Sequence, residues 1–354
     1  MKLLIQIPCY NEEKTLPDVI ASLPTAIDGV DEIRTLVIDD GSTDGTIEAA
    51  RECGVDYIVR NGRNLGLARS FAKGLDACLY LGADLIVNMD GDAQHRGQDV
   101  PALVRPILTR KADLVVGARD FSDRRRFPRW KAWLERFGSA VTRGMSGTDV
   151  PDVTCGFRAM DRAAAVRVLT LSDYTYTVEM ILQAGRTGLK VGWAPIGLND
   201  ARRESRLICG TGSFIRRQVA ILLKTYIYYC PLRFFSWLAG ASFLVSVVAA
   251  LRLAYYLLFA DPTMIKWRSG TGVVFQLGIV ATLLFLMAAL LGTVLSGLRG
   301  MLLDTRSHVR NIELAGKIPP LDCEIITVQG DQALASGDPG VAARARGSFE
   351  RDAT

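Results

Sequence analysis

Histidine is nearly missing from this 354-residue chain: only His95 and His308 occur. That argues against a Ser-His-Asp relay and against a histidine-rich metal site. The seven cysteines (Cys9, Cys53, Cys78, Cys155, Cys209, Cys230 and Cys323) are odd in number, scattered, and form no C-x-x-C pair. They fit reduced thiols in a cytosolic setting better than a disulfide framework or a zinc cluster. No internal repeat is evident. Residues 1–8 are too short and too strand-like for a signal peptide, so the first half of the chain is expected on the cytosolic side. Charge is absent from two long stretches, 234–251 and 269–298. The formal net charge of +5 is modest, and no nucleic-acid partner is expected from it; the placement of the charges says more.

Among what is present, the run Val87-Asn88-Met89-Asp90-Gly91-Asp92-Ala93-Gln94-His95 is the most informative. An apolar strand ends in two carboxylates with a glycine between them. Carboxylates at the carboxyl end of a strand can share a hard divalent cation, which needs oxygen ligands and accepts those of a diphosphate. Taken alone, such a D-x-D is more often a polar turn. Two further acidic, turn-rich segments change the balance: Pro8-Cys9-Tyr10-Asn11-Glu12-Glu13, and Val37-Ile38-Asp39-Asp40-Gly41-Ser42-Thr43-Asp44-Gly45-Thr46. Three such strand ends in one α/β unit make a site for a nucleotide diphosphate held through metal.

Apolar runs at 3–7, 35–38, 57–59, 85–87 and 114–116 read as strands buried on both faces. Helical patterns at 16–23, 46–53, 67–81 and 100–108 alternate with them. Asp44 and Thr46 are candidate caps for the second helix, with Glu48 in its first turn. This alternation predicts a mostly parallel, doubly wound α/β sheet with helices on both faces, whose ligands lie beyond the carboxyl ends of the strands. Residues 193–196 read as a last edge strand, and 178–187 as a helix. From 121 to 147 the composition is basic and aromatic. The Arg124–Arg126 run reads equally well as a solvated or lipid-facing surface and as an acceptor-binding element; Trp130 and Trp133 read as interfacial anchors. Asp152 and Arg158 are expected to pair across the loop around Gly156, and Asp40 to order the turn after the second strand. Glu179 reads first as an N-terminal helical carboxylate, second as a partner for an acceptor-site arginine.

Residues 213–232 are amphipathic at helical spacing, as in a membrane-surface helix. Each uncharged stretch that follows exceeds or approaches the roughly 20 apolar residues needed to cross a bilayer core. Arg216, Arg217, Lys224 and Arg233 precede the first span; Arg299, Arg306, Arg310 and Lys317 follow the second; only Lys266 and Arg268 lie between. That asymmetry places both termini in the cytosol. The expected organisation is a catalytic domain at 1–212, a juxtamembrane helix at 213–232, a transmembrane hairpin at 233–300, and a largely disordered tail at 301–354.

The motif set, PCYNEE at 8–13, VIDDGSTDGT at 37–46, MDGDAQH at 89–95, VGARD at 116–120, DVTCGFRAM at 152–160 and RRESRL at 202–207, resembles family 2 glycosyltransferases of the GT-A fold. It is most similar to the dolichyl- or polyprenyl-phosphate sugar synthases. The resemblance runs from the amino terminus to about residue 231, and the two spans after an amphipathic helix match the same branch. It implies transfer of a hexose, with inversion, from a nucleotide diphosphate sugar such as GDP-mannose or UDP-glucose to a membrane isoprenoid phosphate. By the same resemblance Pro8, Tyr10, Glu12, Val37 and Asp39 would line the base and ribose. Asp90 would sit by the ribose and donor sugar, and Asp92 and Gln94 would hold Mg²⁺ or Mn²⁺. Arg119 would lie near the donor diphosphate or the acceptor phosphate. Arg129 or Lys131, with Arg202 or Arg203 and Ser205-Arg206, would receive the lipid phosphate. Departures from the pattern are Cys9 in place of a small residue, Arg96-Gly97 in place of an x-Pro continuation, and a missing glycine before Ser205; the last leaves both Arg202 and Arg203 in play.

The chemistry suits these residue types. A phosphate monoester has a second pKa near about 6 and is already mostly a dianion at neutral pH, so the acceptor needs positioning rather than a general base. Arginine forks bind phosphate bidentately and stay charged. Two other readings compete. A processive polysaccharide synthase would carry a Q-x-x-R-W element and more spans, neither of which occurs. An inactive GT-A membrane scaffold would have no need of Asp90, Asp92 and Gln94. Self-association is left open.

Overall fold

The computed structural model describes residues 1–120, 129–168, 176–199, 223, 226–227, 230–259, 265–316 and 324–328. They fall into two compact units, one formed by Met1–Ser205 with Arg306–Thr354 and the other by Arg206–Thr305.

The first unit is built on one sheet with strands β1 (Lys2–Cys9), β2 (Glu32–Asp39), β3 (Tyr57–Arg60), β4 (Leu85–Asn88), β5 (Leu114–Arg119), β6 (Arg158–Asp161), β7 (Val191–Ile196) and β8 (Glu324–Thr327), in the order β7-β5-β6-β4-β1-β2-β3-β8. Leu3, Leu4, Ile5 and Ile7 are all fully buried. A strand apolar on successive residues has both faces covered, which is why β1 sits at the centre with helices on either side. The parallel neighbours β3-β2-β1-β4 are joined by α1 (Leu16–Ala21), α2 (Thr46–Glu52) and α3 (Leu67–Tyr80), followed by α4 (Val100–Leu108), α5 (Arg129–Ser146), α6 (Arg162–Arg167) and α7 (Thr177–Arg186). On α3, Ala68, Phe71, Leu75 and Cys78 form the buried stripe, spaced as a core-facing helix requires. Gly74 lets that stripe approach closely: a Cβ there would lie 2.6 Å from Gln6 Oε1 and 2.7 Å from Ile38 Cδ1.

The sheet departs from the expected parallel pattern in two places. β6 runs antiparallel between β4 and β5, and β8 runs antiparallel on the outer edge of β3. The sheet is therefore mixed. β7 takes the opposite edge, parallel to β5, where residues 193–196 were expected. The tail read as largely disordered contains helix through Ala315 and the strand β8; the consecutive Ile325 and Ile326 pair with Val59 and Ile58. Residues 329–354 lie outside the described residues. Arg310 also belongs to this unit. Its Nε donates to Asp76 Oδ1 at 2.8 Å, and its Nη1 donates to the carbonyls of Ala165 (3.0 Å) and Val168 (3.1 Å) at the carboxyl end of α6, where a cation suits the helix dipole.

The second unit contains α8 (Pro231–Phe259) and most of α9 (Ile265–Ala315). Both are long and apolar enough to cross a membrane, over Pro231–Tyr255 and Thr271–Leu302. They touch through small residues. Ser242 Oγ donates to the Gly278 carbonyl at 2.9 Å, and a Cβ on Gly278 would run into Ser246 Oγ. Such residues let helices approach where lipid offers no hydrophobic drive for association. Phe243, Leu244, Val248, Leu277, Leu284 and Leu290 point outward and are more than half exposed, an apolar face of the kind that marks a membrane or partner contact. The amphipathic segment expected at 213–232 falls mostly outside the described residues.

Candidate active site

The three acidic segments meet at the carboxyl ends of β1, β2 and β4. Cys9 is the register partner of Asp39, and the Asp40 N–H donates to the Cys9 carbonyl at 2.9 Å. The loop after β1 is stitched to the turn after β2: Asn11 N–H donates to Ser42 Oγ, Glu12 N–H to Thr46 Oγ1, and Thr43 N–H to Asn11 Oδ1. Thr46 Oγ1 in turn donates to Asp44. The cap position of α2 is Gly45 itself, so Asp44 and Thr46 tie the turn together rather than cap the helix alone. Glu12 Oε2 accepts from Thr15 Oγ1 at 2.7 Å, and the same hydroxyl lies 2.9 Å from the Gly91 carbonyl. A Cβ on Gly91 would lie 2.7 Å from Cys9 Sγ, so the D-x-D turn rests directly on the end of β1.

Pro8 and Val37 are buried, as are Glu12 and Asp39, while Tyr10 is exposed. Asp39 Oδ1 accepts from Ser42 N–H at 3.1 Å, and its Oδ2 is buried without a partner. An orphaned carboxylate oxygen in a native fold is a reason to look for a ligand. Asp40 does something other than order the turn beside it. It accepts from Asn61 Nδ2 (2.9 Å) and from the N–H groups of Leu65 (2.8 Å) and Gly66 (2.9 Å), and so shapes the loop after β3.

Asp90 has a side chain 30 % exposed, with Oδ1 buried and unpartnered. Its carboxyl is raised above the usual range, first by burial and then by the Asp92 charge, against the pull of Arg119 and Arg158. Asp92 and Gln94 follow on one turn: Asp92 Oδ1 accepts from Gln94 N–H at 3.1 Å, Asp92 is half-buried and Gln94 is exposed. Ala93 between them has φ +58°, a left-handed conformation that alanine rarely adopts. His95 is buried against Phe157 with ring centroids 5.2 Å apart, and its Nε2 lies 3.9 Å from Asp90 Oδ2. Burial, then Arg119, lowers its pKa to about 4, so the imidazole is neutral at physiological pH.

Beneath Asp90 runs a polar network that the sequence did not announce. Gln6 Nε2 donates to Asn88 Oδ1 at 2.9 Å; Asn88 Nδ2 donates to the Gly156 carbonyl (2.9 Å) and to Tyr176 Oη (3.1 Å). Tyr176 is stacked on Phe71 with ring centroids 4.0 Å apart.

Arg119 ends β5 with a bidentate fork: Nε to Asp152 Oδ2 at 2.6 Å and Nη2 to Asp152 Oδ1 at 3.0 Å, with Thr154 Oγ1 at 2.8 Å from Nη2. The expected Asp152–Arg158 pair therefore does not form. Arg158 is fully buried, and its guanidinium donates to three carbonyls, those of Cys155 (2.8 Å), Thr177 (2.7 Å) and Val153 (2.7 Å). Three carbonyls and the Met180 sulfur, 3.4 Å from Nη1, take its guanidinium, which leaves Asp152 to fix Arg119. Glu179 lies buried in the first turn of α7.

Arg129 and Lys131 begin α5, but their side chains lie outside the described residues. So do Arg124–Arg126, Arg202, Arg203, Ser205 and Arg206. The donor half of the expected site is thus assembled from described side chains, and the acceptor half stays an expectation from sequence. No group of three or more His, Cys, Asp or Glu among the described residues is arranged to hold an ion unaided. An oxygen pair on one exposed turn beside an orphaned carboxylate fits a hard cation that completes its shell with ligand oxygens and water.

Known proteins are similar to this chain over the same region. The family profile described as "Glycosyl transferase family 2" matches residues 4–169. An undecaprenyl-phosphate mannosyltransferase of Micrococcus luteus is 32 % identical over 208 residues, covering 55 % of this chain and 83 % of that protein. A polyprenol monophosphomannose synthase of Mycolicibacterium smegmatis is 28 % identical, covering 60 % and 82 %. Among solved structures, glucosyl-3-phosphoglycerate synthase from Mycobacterium tuberculosis with Mn²⁺, UDP-glucose and phosphoglyceric acid superposes with a TM-score of 0.50 at 24 % identity, over 65 % of this chain and 80 % of that one. That likeness concerns the fold alone.

Proposed function

This chain belongs to glycosyl transferase family 2, and from that premise we propose that it moves a hexose from a nucleotide diphosphate sugar to a membrane polyprenyl or dolichyl phosphate, with inversion. The observation that carries this reading is the convergence of Glu12, Asp39, Asp90 and Asp92 at the ends of β1, β2 and β4, in a chain that also has two outward-facing apolar helices.

Asp39, with its unpartnered Oδ2, and the neighbouring Pro8, Tyr10, Glu12 and Val37 bind the base and ribose. Asp92 and Gln94 hold Mg²⁺ or Mn²⁺, which when bound supplies positive charge to the departing diphosphate. Asp90 orients the donor sugar from its place between Gly156 and His95. Arg119, held rigid by Asp152 and Thr154, presents fixed positive charge to a phosphate group. The acceptor arrives already ionised, so no side chain has to take its proton; the neutral, buried His95 matches that economy. Arg129 or Lys131, Arg202 or Arg203, and Ser205-Arg206 receive the lipid phosphate.

The two apolar helices suit an acceptor that is itself a membrane lipid. Support for catalytic domain and carboxyl-terminal segment sharing one side of the membrane comes from their common unit: β8 extends the sheet at β3, and Arg310 reaches Asp76. Two crossings between them satisfy that arrangement, and the basic flanks assign the shared side to the cytosol.

The test uses full-length protein in lipid nanodiscs with polyprenyl phosphate and a panel of GDP- and UDP-sugars, reading nucleoside diphosphate release and glycolipid. One donor is expected to give product, to stop with chelator and to resume with Mg²⁺ or Mn²⁺. Asp92→Ala should abolish turnover. Absence of product from every donor, or full turnover by Asp92→Ala, would overturn the reading.

A further inference from the structure

The turn that carries Asp92 and Gln94 is held from outside by the segment after β7. The segment after β7 runs alongside it: Gly197 N–H donates to Asp99 Oδ2 at 2.7 Å, Leu198 bridges to His95, and Arg96 Nη2 donates to the Leu198 carbonyl at 3.2 Å. Asn199 then makes three contacts with the turn itself. Its N–H donates to the Gln94 carbonyl at 2.9 Å, and its Nδ2 donates to the carbonyls of Ala93 (3.0 Å) and His95 (3.3 Å). Three consecutive carbonyls are thus bound by a single asparagine. We infer that Asn199 is the positioning residue that sets Asp92 and Gln94 for a divalent cation, an inference that rests on the metal reading above.

The physical reason lies in Ala93. A left-handed alanine is disfavoured and persists only where its surroundings over-determine it. The backbone N–H of residue 199 cannot be removed by a side-chain change, but the amide Nδ2 can, and it binds both residues that flank Gln94. Without it the Ala93 backbone can relax toward negative φ. Asp92 and Gln94 lie on either side of that torsion, so their oxygens would lose their mutual orientation. Asn199 acts through the turn, by its bonds to the carbonyls of Ala93, Gln94 and His95. Groups that orient metal ligands typically change metal affinity by about 10–100-fold when removed.

The experiment is a Mn²⁺ titration by electron paramagnetic resonance on the full-length protein in nanodiscs, with GDP or UDP present. Asn199→Ala and Asn199→Asp, which both lose the amide donor, are expected to retain Mn²⁺ about tenfold more weakly than the wild type. Binding of the nucleotide in chelator should be unchanged in both. Asp99→Ala cuts the neighbouring tether at Gly197 and serves as the structural control; its Mn²⁺ affinity should match the wild type. Wild-type affinity in both Asn199 variants, or equal weakening in Asp99→Ala, would overturn the assignment. A wild type that retains no Mn²⁺ with either nucleotide would instead bring down the metal reading, and this inference with it. Melting curves recorded without metal separate a loosened turn from an unfolded domain, and a second substitution that keeps the amide, Asn199→Gln, should recover part of the affinity.

Discussion

Gly156→Ala is the sharpest single perturbation of the proposed donor site. A Cβ at this position would lie 2.9 Å from Asp90 Oδ2, 3.2 Å from Asp90 Oδ1 and 2.9 Å from Tyr176 Oη. Real Cβ atoms do not approach that closely, so something must move. Tyr176 is held by its stack on Phe71 and by Asn88 Nδ2. The Asp90 carboxylate has an unpartnered oxygen and a partly open side chain, so it is the group that gives way. Overpacking of this kind costs about 1–3 kcal/mol, and rotation of a terminal carboxylate puts the expected loss of stability near the lower end. The effect on turnover should be larger. A displacement of about 1 Å at the reacting centre can lower the rate about 100-fold, or roughly 2.7 kcal/mol of transition-state stabilisation. Steady-state transfer kinetics, with nucleotide binding measured by calorimetry, separate the two effects. The variant should bind nucleoside diphosphate nearly as the wild type does and turn over about 100-fold more slowly. A turnover within a few-fold of wild type would refute the argument that Gly156 reserves the space in which Asp90 is set.

Other consequences are open to measurement. Burial alone would raise the Asp152 carboxyl, but Arg119 and Thr154 hold it below the ordinary value. A depressed native pKa contributes stability that is present above the unfolded value of about 3.9 and is lost as pH falls through the native one. Asp152→Asn should therefore melt lower at neutral pH and lose less on acidification below about pH 4; parallel melting curves for the two proteins would contradict this. Arg310→Ala removes the contact with Asp76 and those with the α6 carbonyls. A loss of about 1–3 kcal/mol should lower the melting temperature of the first unit by about 2–12 °C, and an unchanged transition would mean that the carboxyl-terminal segment is not clamped. In the hairpin, Gly278→Ala drives a methyl into Ser246, whereas Gly240 has nothing within 4 Å of its Cβ position. The first substitution should destabilise the helix pair in detergent. Gly240→Ala should leave it unchanged or slightly firmer, since alanine is the better helix former by about 1 kcal/mol; the opposite order would refute the packing.

Sequence by itself determined the strands whose burial is local and repetitive: the apolar runs at 3–7, 35–38 and 85–87 became β1, β2 and β4, and the acidic motifs that end them lie together as expected. It also determined the two long apolar helices, because a continuous uncharged stretch depends on no partner. Tertiary structure alone decided what depends on residues far apart in the chain. Arg158 reads like any charged residue in sequence, yet it opens a buried strand that reverses direction between β4 and β5. Asp152 had two arginines within reach of its loop, and only packing assigns it to Arg119 while backbone carbonyls take Arg158. Four residues near the carboxyl terminus become an edge strand because β3 offers unpaired backbone groups. Tyr176 and Asn199 carry no motif, since a hydrogen bond to a distant group leaves no periodic trace in the residues around it. Hydrophobic period and charge report how a segment meets water or lipid; which polar group meets which is settled only when the sheet brings their backbones together.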